Sequence, residues 1–200
     1  MASRKQLVAI LIAAVCAFVL LAVWVSSGQS TGFDLAVRAA VHGLASVPLT
    51  HVMVAITTLG SHWVLIAVGA ICVWGLAASG RRREAILLPS AGLSAELASI
   101  LLKLMFHRLR PPVFFGLLPS ETYSFPSGHA FVSTVFYGAL AGILISSGRK
   151  SAAVTALIAV PIGLSRVYLG YHYPSDVLGG WAMAVVWLTA VKWVAQDVRQ

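Results

Sequence analysis

Six long apolar runs constrain this chain more than any other feature. They cover residues 7–25, 52–79, 85–106, 127–146, 152–168 and 176–191. A helix that crosses a bilayer needs roughly 20 mostly apolar residues. Composition points the same way. Of the 200 residues, 59% are hydrophobic and only 10% are charged, whereas soluble domains run at about 45–50% and about 25%. A globule of this size has too small an interior to hide so much apolar surface, so lipid has to solvate the rest. The runs predict an all-α polytopic membrane protein with six transmembrane helices, built as a single domain over residues 1–200.

The segment 28–50, between the first two runs, is mixed. Asp34, Arg38 and His42 recur every four residues and share one helical face, while Phe33, Val37, Val41 and Leu44 share another. The pattern predicts a short amphipathic helix at the membrane interface, with Asp34 and Arg38 as a solvated helix pair. The first run follows Arg4 and Lys5 and is longer than the about 7–15 apolar residues of a signal peptide, so it reads as a retained anchor. Cys16 and Cys72 lie in separate apolar runs and read as packing residues. The tryptophans mostly fall near run ends, as an aromatic belt would.

The formal charge is +8, from 14 Lys and Arg against 6 Asp and Glu. Such an excess can suggest nucleic acid, but most basic residues sit in short gaps between apolar runs, which argues against a nucleic-acid face. Six spans put both termini on one side. That side holds nine basic residues: Arg4, Lys5, Arg81, Arg82, Arg83, Arg149, Lys150, Lys192 and Arg199. Basic residues in short loops mark the cytoplasm, so the termini are expected there, in a bacterial cytoplasmic membrane. The other five, Arg38, Lys103, Arg108, Arg110 and Arg166, lie on the opposite side. Four of those sit at the ends of the third and fifth runs and need an explanation.

Charges at this depth are expensive unless paired or functional. Lys103 and Arg110 are seven residues apart, two helical turns if the helix continues, so both side chains can converge on one small dianion. Snorkelling to headgroups is the simpler alternative for either one alone. Ser127 and Gly128 open the fourth run after a proline, where free amides and the helix dipole form an anion site, or where Ser127 merely caps the helix. His172 and Asp176 are four apart across Pro174. A carboxylate on one ring nitrogen fixes the tautomer and leaves the other nitrogen as a lone pair, the preparation of a histidine nucleophile. A capping Asp beside a loop His is again the simpler alternative. Taken together, the parts make an anion cradle, an acid and an oriented base. Phosphoryl transfer needs these parts, since its catalysis is mostly positioning and electrostatic stabilisation. No acidic cluster suited to magnesium is evident, so the expectation is no metal and no cofactor.

These residues fall in three blocks: Lys103 to Pro111, Pro126 to His129, and Ser165 to Asp176. In order and spacing they match K-x6-R-P, P-S-G-H and S-R-x5-H-x3-D, and the chain thereby resembles the type 2 phosphatidic acid phosphatase family, membrane relatives of the vanadium haloperoxidases. The resemblance implies a metal-independent lipid phosphate or diphosphate phosphatase. Lys103, Arg110 and Arg166 would bind phosphate with Ser127 and the Gly128 backbone. His172 would attack phosphorus and form a phosphohistidine, Asp176 would orient it, and His129 would protonate the leaving group. Plausible substrates are undecaprenyl diphosphate, phosphatidylglycerol phosphate and phosphatidate, met at the extracytoplasmic face.

Outside the blocks, Glu96 lies two turns before Lys103 and reads either as lining a headgroup tunnel or as paired with a polar neighbour. Glu121 and Tyr123 are candidate headgroup contacts. His107 and Arg108 read as interface anchors, and His51 and His62 as solvated or interfacial. No nucleic acid and no obligatory protein partner is expected; the partners are the bilayer and the lipid phosphate. The rival reading is a non-catalytic lipid-phosphate binding or carrier protein. A transporter would show internal repeats with broken helices, and none is visible.

Overall fold

In the computed structural model the apolar runs become helices with identifiable caps. The structure describes residues 3–118, 120–145 and 147–197. Pro119, Ser146 at the expected end of the fourth run, and Arg199 of the charge count lie outside the described residues. Among the described residues, eight α-helices and no strand occur: α1 (Arg4–Ser26), α2 (Thr31–His42), α3 (Val47–Thr58), α4 (His62–Ala78), α5 (Arg82–Phe106), α6 (Gly128–Leu144), α7 (Gly148–Tyr168) and α8 (Pro174–Asp197). Serine side chains cap five N-termini: Ser3, Ser46, Ser61, Ser127 and Ser147 each accept a backbone N–H from the first turn, satisfying donors that have no partner within the helix. Pro174 occupies the first position of α8, where its missing N–H costs nothing.

Four helices, α1, α5, α7 and α8, are long and apolar enough to cross a membrane. The bent pair α3–α4 makes a fifth if taken as one span, and α6 is a shorter apolar helix. The expected second span is therefore not one continuous helix. It bends by 49° between α3 and α4. The turn carries Gly60, where a Cβ would come within 2.7 Å of Ile162 Cγ2 and 3.1 Å of His129 Cδ2. Only a residue without a side chain lets the turn sit that close to α7 and α6.

The distribution of polarity is that of a protein in lipid. Leu20, Trp63, Leu93 and Trp74 are 70–83% exposed, while Ser133, Ser165, Asp34 and Asp176 are fully buried. Helix α6 forms the centre. Phe131, Val132, Val135, Phe136 and Ala139 pack against Leu88, Ala91 and Ala95 of α5 and Ala184 of α8. Helices α5 to α8 alternate in direction. Arg81 Nη2 donates to Ile143 O at 3.0 Å, so the α4–α5 turn and the end of α6 share one end of the bundle. The C-terminal ends of α5 and α7 and the starts of α6 and α8 share the other.

Two local expectations need correction. Asp34 and Arg38 are not a solvated pair: both are buried, Asp34 at 0% exposure. Helix α2 packs its polar face onto α7 and α8, and the loop after α5 folds over it. Arg38 donates to Pro112 O at 2.7 Å and lies 4.7 Å from the Phe114 ring, while Asp34 pairs with Arg108 at 2.6 Å. With water excluded, each charge takes the best partner that packing supplies. Second, α5 does not continue through Arg110. It ends at Phe106 with His107 in the left-handed region at φ 47°, the backbone form of a common helix stop. His107 then packs edge-on to Tyr123, 4.6 Å between ring centres. Lys103 and Arg110 thus reach the same place from a helix and a returning loop, not from one helical face.

Candidate active site

The end of the bundle with the C-termini of α5 and α7 holds a cavity of about 490 Å³. Its walls bring together Lys103 of α5, Arg110 of the loop, Gly128 and His129 of α6, Arg166 of α7, and His172. Glu96, Glu121 and Tyr123 also line it, as do His62 and Thr122. Two of the expected residues stand behind the wall. Asp176 is fully buried, and Ser127 is fully buried with its hydroxyl accepting the Ala130 N–H as the cap of α6. The Ser127 N–H donates to Asp176 O at 2.9 Å, which ties the start of α6 to the start of α8. Gly128 is what the cavity meets there. A Cβ on it would sit 3.3 Å from Lys103 Nζ and 3.2 Å from Ser99 Oγ, so the missing side chain leaves the lysine room at the helix start.

His172 is held from both ring nitrogens. Arg110 Nη1 donates to Nε2 at 3.1 Å. A guanidinium offers no lone pair, so Nε2 carries the lone pair and Nδ1 carries the proton. Nδ1 lies 3.4 Å from Asp176 Oδ2 and 3.3 Å from Ser124 Oγ. Asp176 Oδ2 also accepts from Ser124 Oγ and from the Tyr173 N–H, and Oδ1 accepts from Arg108 Nη1. Arg110 is itself braced, by Thr122 O at 2.6 Å, Thr122 Oγ1 at 2.9 Å and Tyr171 O at 2.9 Å. Arg166 donates to Thr57 Oγ1 at 3.0 Å and lies 4.0 Å from the Tyr171 ring. Its buried Nε has no acceptor among the described residues.

Arg108, expected as an interface anchor, turns inward: it bridges Asp34 and Asp176. Its neighbour His107 ends the helix, and the reversal there directs the next side chain into the bundle. His62, expected to be solvated, is 63% exposed, yet it also lines the cavity and pairs with Glu96 at 3.0 Å. Glu96 thus lines the cavity and has a polar neighbour as its partner. Thr57, Thr122 and Ser124 escaped the sequence reading, and Asp34 and Arg108 were given other roles in it. The one available signal was cost, since a chain with 6 carboxylates in apolar surroundings keeps few without a partner.

Burial first, and then the charges of Arg110, Arg166 and Lys103, hold the His172 imidazolium well below its ordinary value of 6.5. The imidazole therefore stays neutral into mildly acidic solution. The acid limb of kcat/KM should lie below pH 6.5, and a limb centred at or above 6.5 would contradict this environment. The same shift affects stability. Between the native and unfolded pKa values only the unfolded chain binds the proton, so His172 costs nothing above pH 6.5 and destabilises increasingly as pH falls below it.

Comparisons with known proteins identify the family and the fold. The PAP2 superfamily matches residues 84–200, which hold all three blocks and α5 to α8. Phosphatidylglycerophosphatase B of Bacillus subtilis is 29% identical over 190 residues, 92% of this chain and 93% of that protein. The undecaprenyl-diphosphatase of Sulfolobus acidocaldarius is 31% identical over 160 residues, 78% of this chain and 75% of that protein. The crystal structure of a transmembrane PAP2-type phosphatidylglycerolphosphate phosphatase from Bacillus subtilis superposes with a TM-score of 0.87 at 27% identity, over 94% of this chain and 96% of that one. With helices suited to a bilayer and lipid phosphatases among its relatives, this chain is an integral membrane phosphatase and belongs to the PAP2 superfamily.

Proposed function

We propose that the whole chain acts as one domain that hydrolyses a lipid phosphate or diphosphate without a metal, through a phosphohistidine on His172. One observation carries the proposal: His172 lines a cavity walled by Lys103, Arg110, Arg166 and His129, its Nε2 accepts from Arg110 of that wall, and Asp176 stands behind Nδ1. Lys103, Arg110, Arg166 and the Gly128 amide take the phosphate oxygens, supplying the positive charge that other phosphoryl-transfer sites draw from metal ions. The buried Arg166 Nε is a donor for one of them. Ser127 contributes by capping α6 and so presenting Gly128.

Arg110 gives up its bond to Nε2 in favour of a phosphate oxygen. Nε2 then attacks phosphorus, the bond from phosphorus to the leaving oxygen breaks, and His129 donates a proton to that oxygen. Water next attacks the phosphohistidine while His129 accepts its proton. The N–P bond breaks, inorganic phosphate leaves, and Nε2 regains its lone pair. The His62–Glu96 pair on one wall and Glu121 with Tyr123 on the rim face the rest of the headgroup.

In the membrane, α1, the bent pair α3–α4, α5, α6, α7 and α8 make six crossings, with α2 at the interface. The basic clusters at the end away from the cavity mark the cytoplasmic side. On this reading the termini are cytoplasmic and the cavity opens outside.

The substrate range follows from relatives that act on phosphatidylglycerophosphate and undecaprenyl diphosphate, with phosphatidate as a third candidate. The test is phosphate release by the purified protein from these three lipids, with and without EDTA. Release that persists in EDTA is expected. No release from any of them, or a loss in EDTA that magnesium restores, would overturn the proposal.

A further inference from the structure

Behind the His172–Asp176 pair lies a second layer of charge that the defining positions of the three sequence blocks do not include. Arg108, from the loop after α5, places Nη1 on Asp176 Oδ1 and Ser175 Oγ, and Nη2 on Asp34 Oδ2 and Ser30 Oγ. Asp34 accepts in addition from Ser175 N at 2.9 Å and Ser175 Oγ at 2.7 Å. The Tyr173 ring lies 4.3 Å from the guanidinium. Asp34 and Asp176 are both at 0% exposure. Asp34 belongs to α2, and α2 lies outside residues 84–200 that match the family.

We propose that Asp34 and Arg108 are positioning residues for the nucleophile: the Asp34–Arg108–Asp176 bridge aims the Asp176 carboxylate at His172 and shares the guanidinium, so that the carboxylate keeps negative charge for the ring. The inference rests on the phosphohistidine reading above. Its physical basis is the sharing of charge. Arg108 paired with Asp176 alone would leave a neutral ion pair, and the guanidinium would draw the carboxylate away from Nδ1. With Asp34 on its other edge, the guanidinium is shared between two carboxylates, and Arg38 also lies against the same Tyr173 ring, so Asp176 is less fully neutralised by Arg108 than in a one-to-one pair. When Nε2 bonds to phosphorus, positive charge spreads over the ring and its Nδ1–H. That is the moment at which the carboxylate's negative charge stabilises most. Asp34 also pins Ser175, the residue before Asp176, through both its N–H and its hydroxyl, so α2 sets where α8 begins. Two buried carboxylates around one guanidinium are costly to keep, and for stability alone an apolar contact would serve α2 as well.

The test uses the full-length purified protein and the near-isosteric Asp34→Asn, read against wild type and His172→Ala. The expected result is a fall in kcat of about 10- to 100-fold, the range for losing a group that orients a reacting side chain, with KM held within about threefold because the phosphate cradle is untouched. The acid limb should also move to lower pH, since one negative charge near His172 is gone. The other charged or titratable groups around that ring remain: Lys103 on α5, Arg110 on the loop, His129 on α6, Arg166 on α7 and Asp176 on α8, with Arg108 behind. A merely structural role would lower the yield of active protein and leave the acid limb in place. If Asp34→Asn does not fold, Arg108→Lys replaces it: a lysine keeps the charge, cannot span both carboxylates, and should show the same loss of kcat at constant KM. Unchanged kcat in the folded variant, or a raised KM at constant kcat, would overturn the inference. Activity surviving in His172→Ala would instead overturn the phosphohistidine reading beneath it.

Discussion

His172→Ala is expected to abolish phosphate release, with kcat falling by about 10⁴-fold or more, as when the nucleophile of a covalent mechanism is removed. The argument is geometric. Nε2 is the ring nitrogen turned toward Arg110 of the cavity wall, and Arg110 approaches it as a donor, so its lone pair becomes free to attack once phosphate oxygens engage the guanidinium. Alanine removes the nucleophile but leaves Lys103, Arg110 and Arg166 on the cavity wall. Substrate binding should therefore survive, read as retained affinity for a lipid phosphate in the inactive variant. Rapid alkaline quench of wild type with phosphate-labelled lipid should trap label on the protein, and His172→Ala should trap none. Residual turnover within tenfold of wild type would exclude His172 as nucleophile. A carrier, by contrast, would bind lipid phosphate in both forms and release phosphate in neither.

The second large effect belongs to His129. Its removal as His129→Ala should lower kcat on a lipid substrate by about 10²- to 10⁴-fold, the usual contribution of a general acid. The loss should be far smaller on an aryl phosphate with an acidic phenol, because that leaving group departs without a proton. His129 suits the role by position. It stands in the first turn of α6 beside Gly128, its carbonyl is engaged by Ser133 Oγ, and the Gly60 turn closes against its ring. The ring is thereby held at the cavity wall, 6.4 Å between centres from His62. The comparison of leaving groups separates acid catalysis from damage to the fold. Equal losses on both substrates would show that His129 does not donate the proton.

Much of the cavity was legible in the sequence. Lys103, Arg110, Gly128, His129, Arg166 and His172 all line it, because each sits at or just past a helix end on the same side of the bundle. For a chain of antiparallel apolar helices, such positions share one level by geometry. Asp176 was legible too, since four residues through a proline start bring it under its histidine. What supports them was not. Ser124 reaches Asp176 from the loop, Thr122 braces Arg110, and Thr57 of α3 meets Arg166. None has a spacing rule to the residue it serves. The reading of Arg108 as an anchor failed for the same reason: a cation at a helix end looks alike whether the chain then turns toward lipid or toward the core.

By itself the sequence determined the solvent, the helical class and the chemistry at the ends of the helices. These depend on apolar run length and on residue types a few positions apart, and local patterns of that kind survive in one dimension. Only the tertiary structure decided the break at Gly60, the inward face of α2, and the bridge from Asp34 through Arg108 to Asp176. The physical reason is that a buried charge must find its counter-charge wherever packing excludes water, and the partners it finds come from helices far apart in the chain.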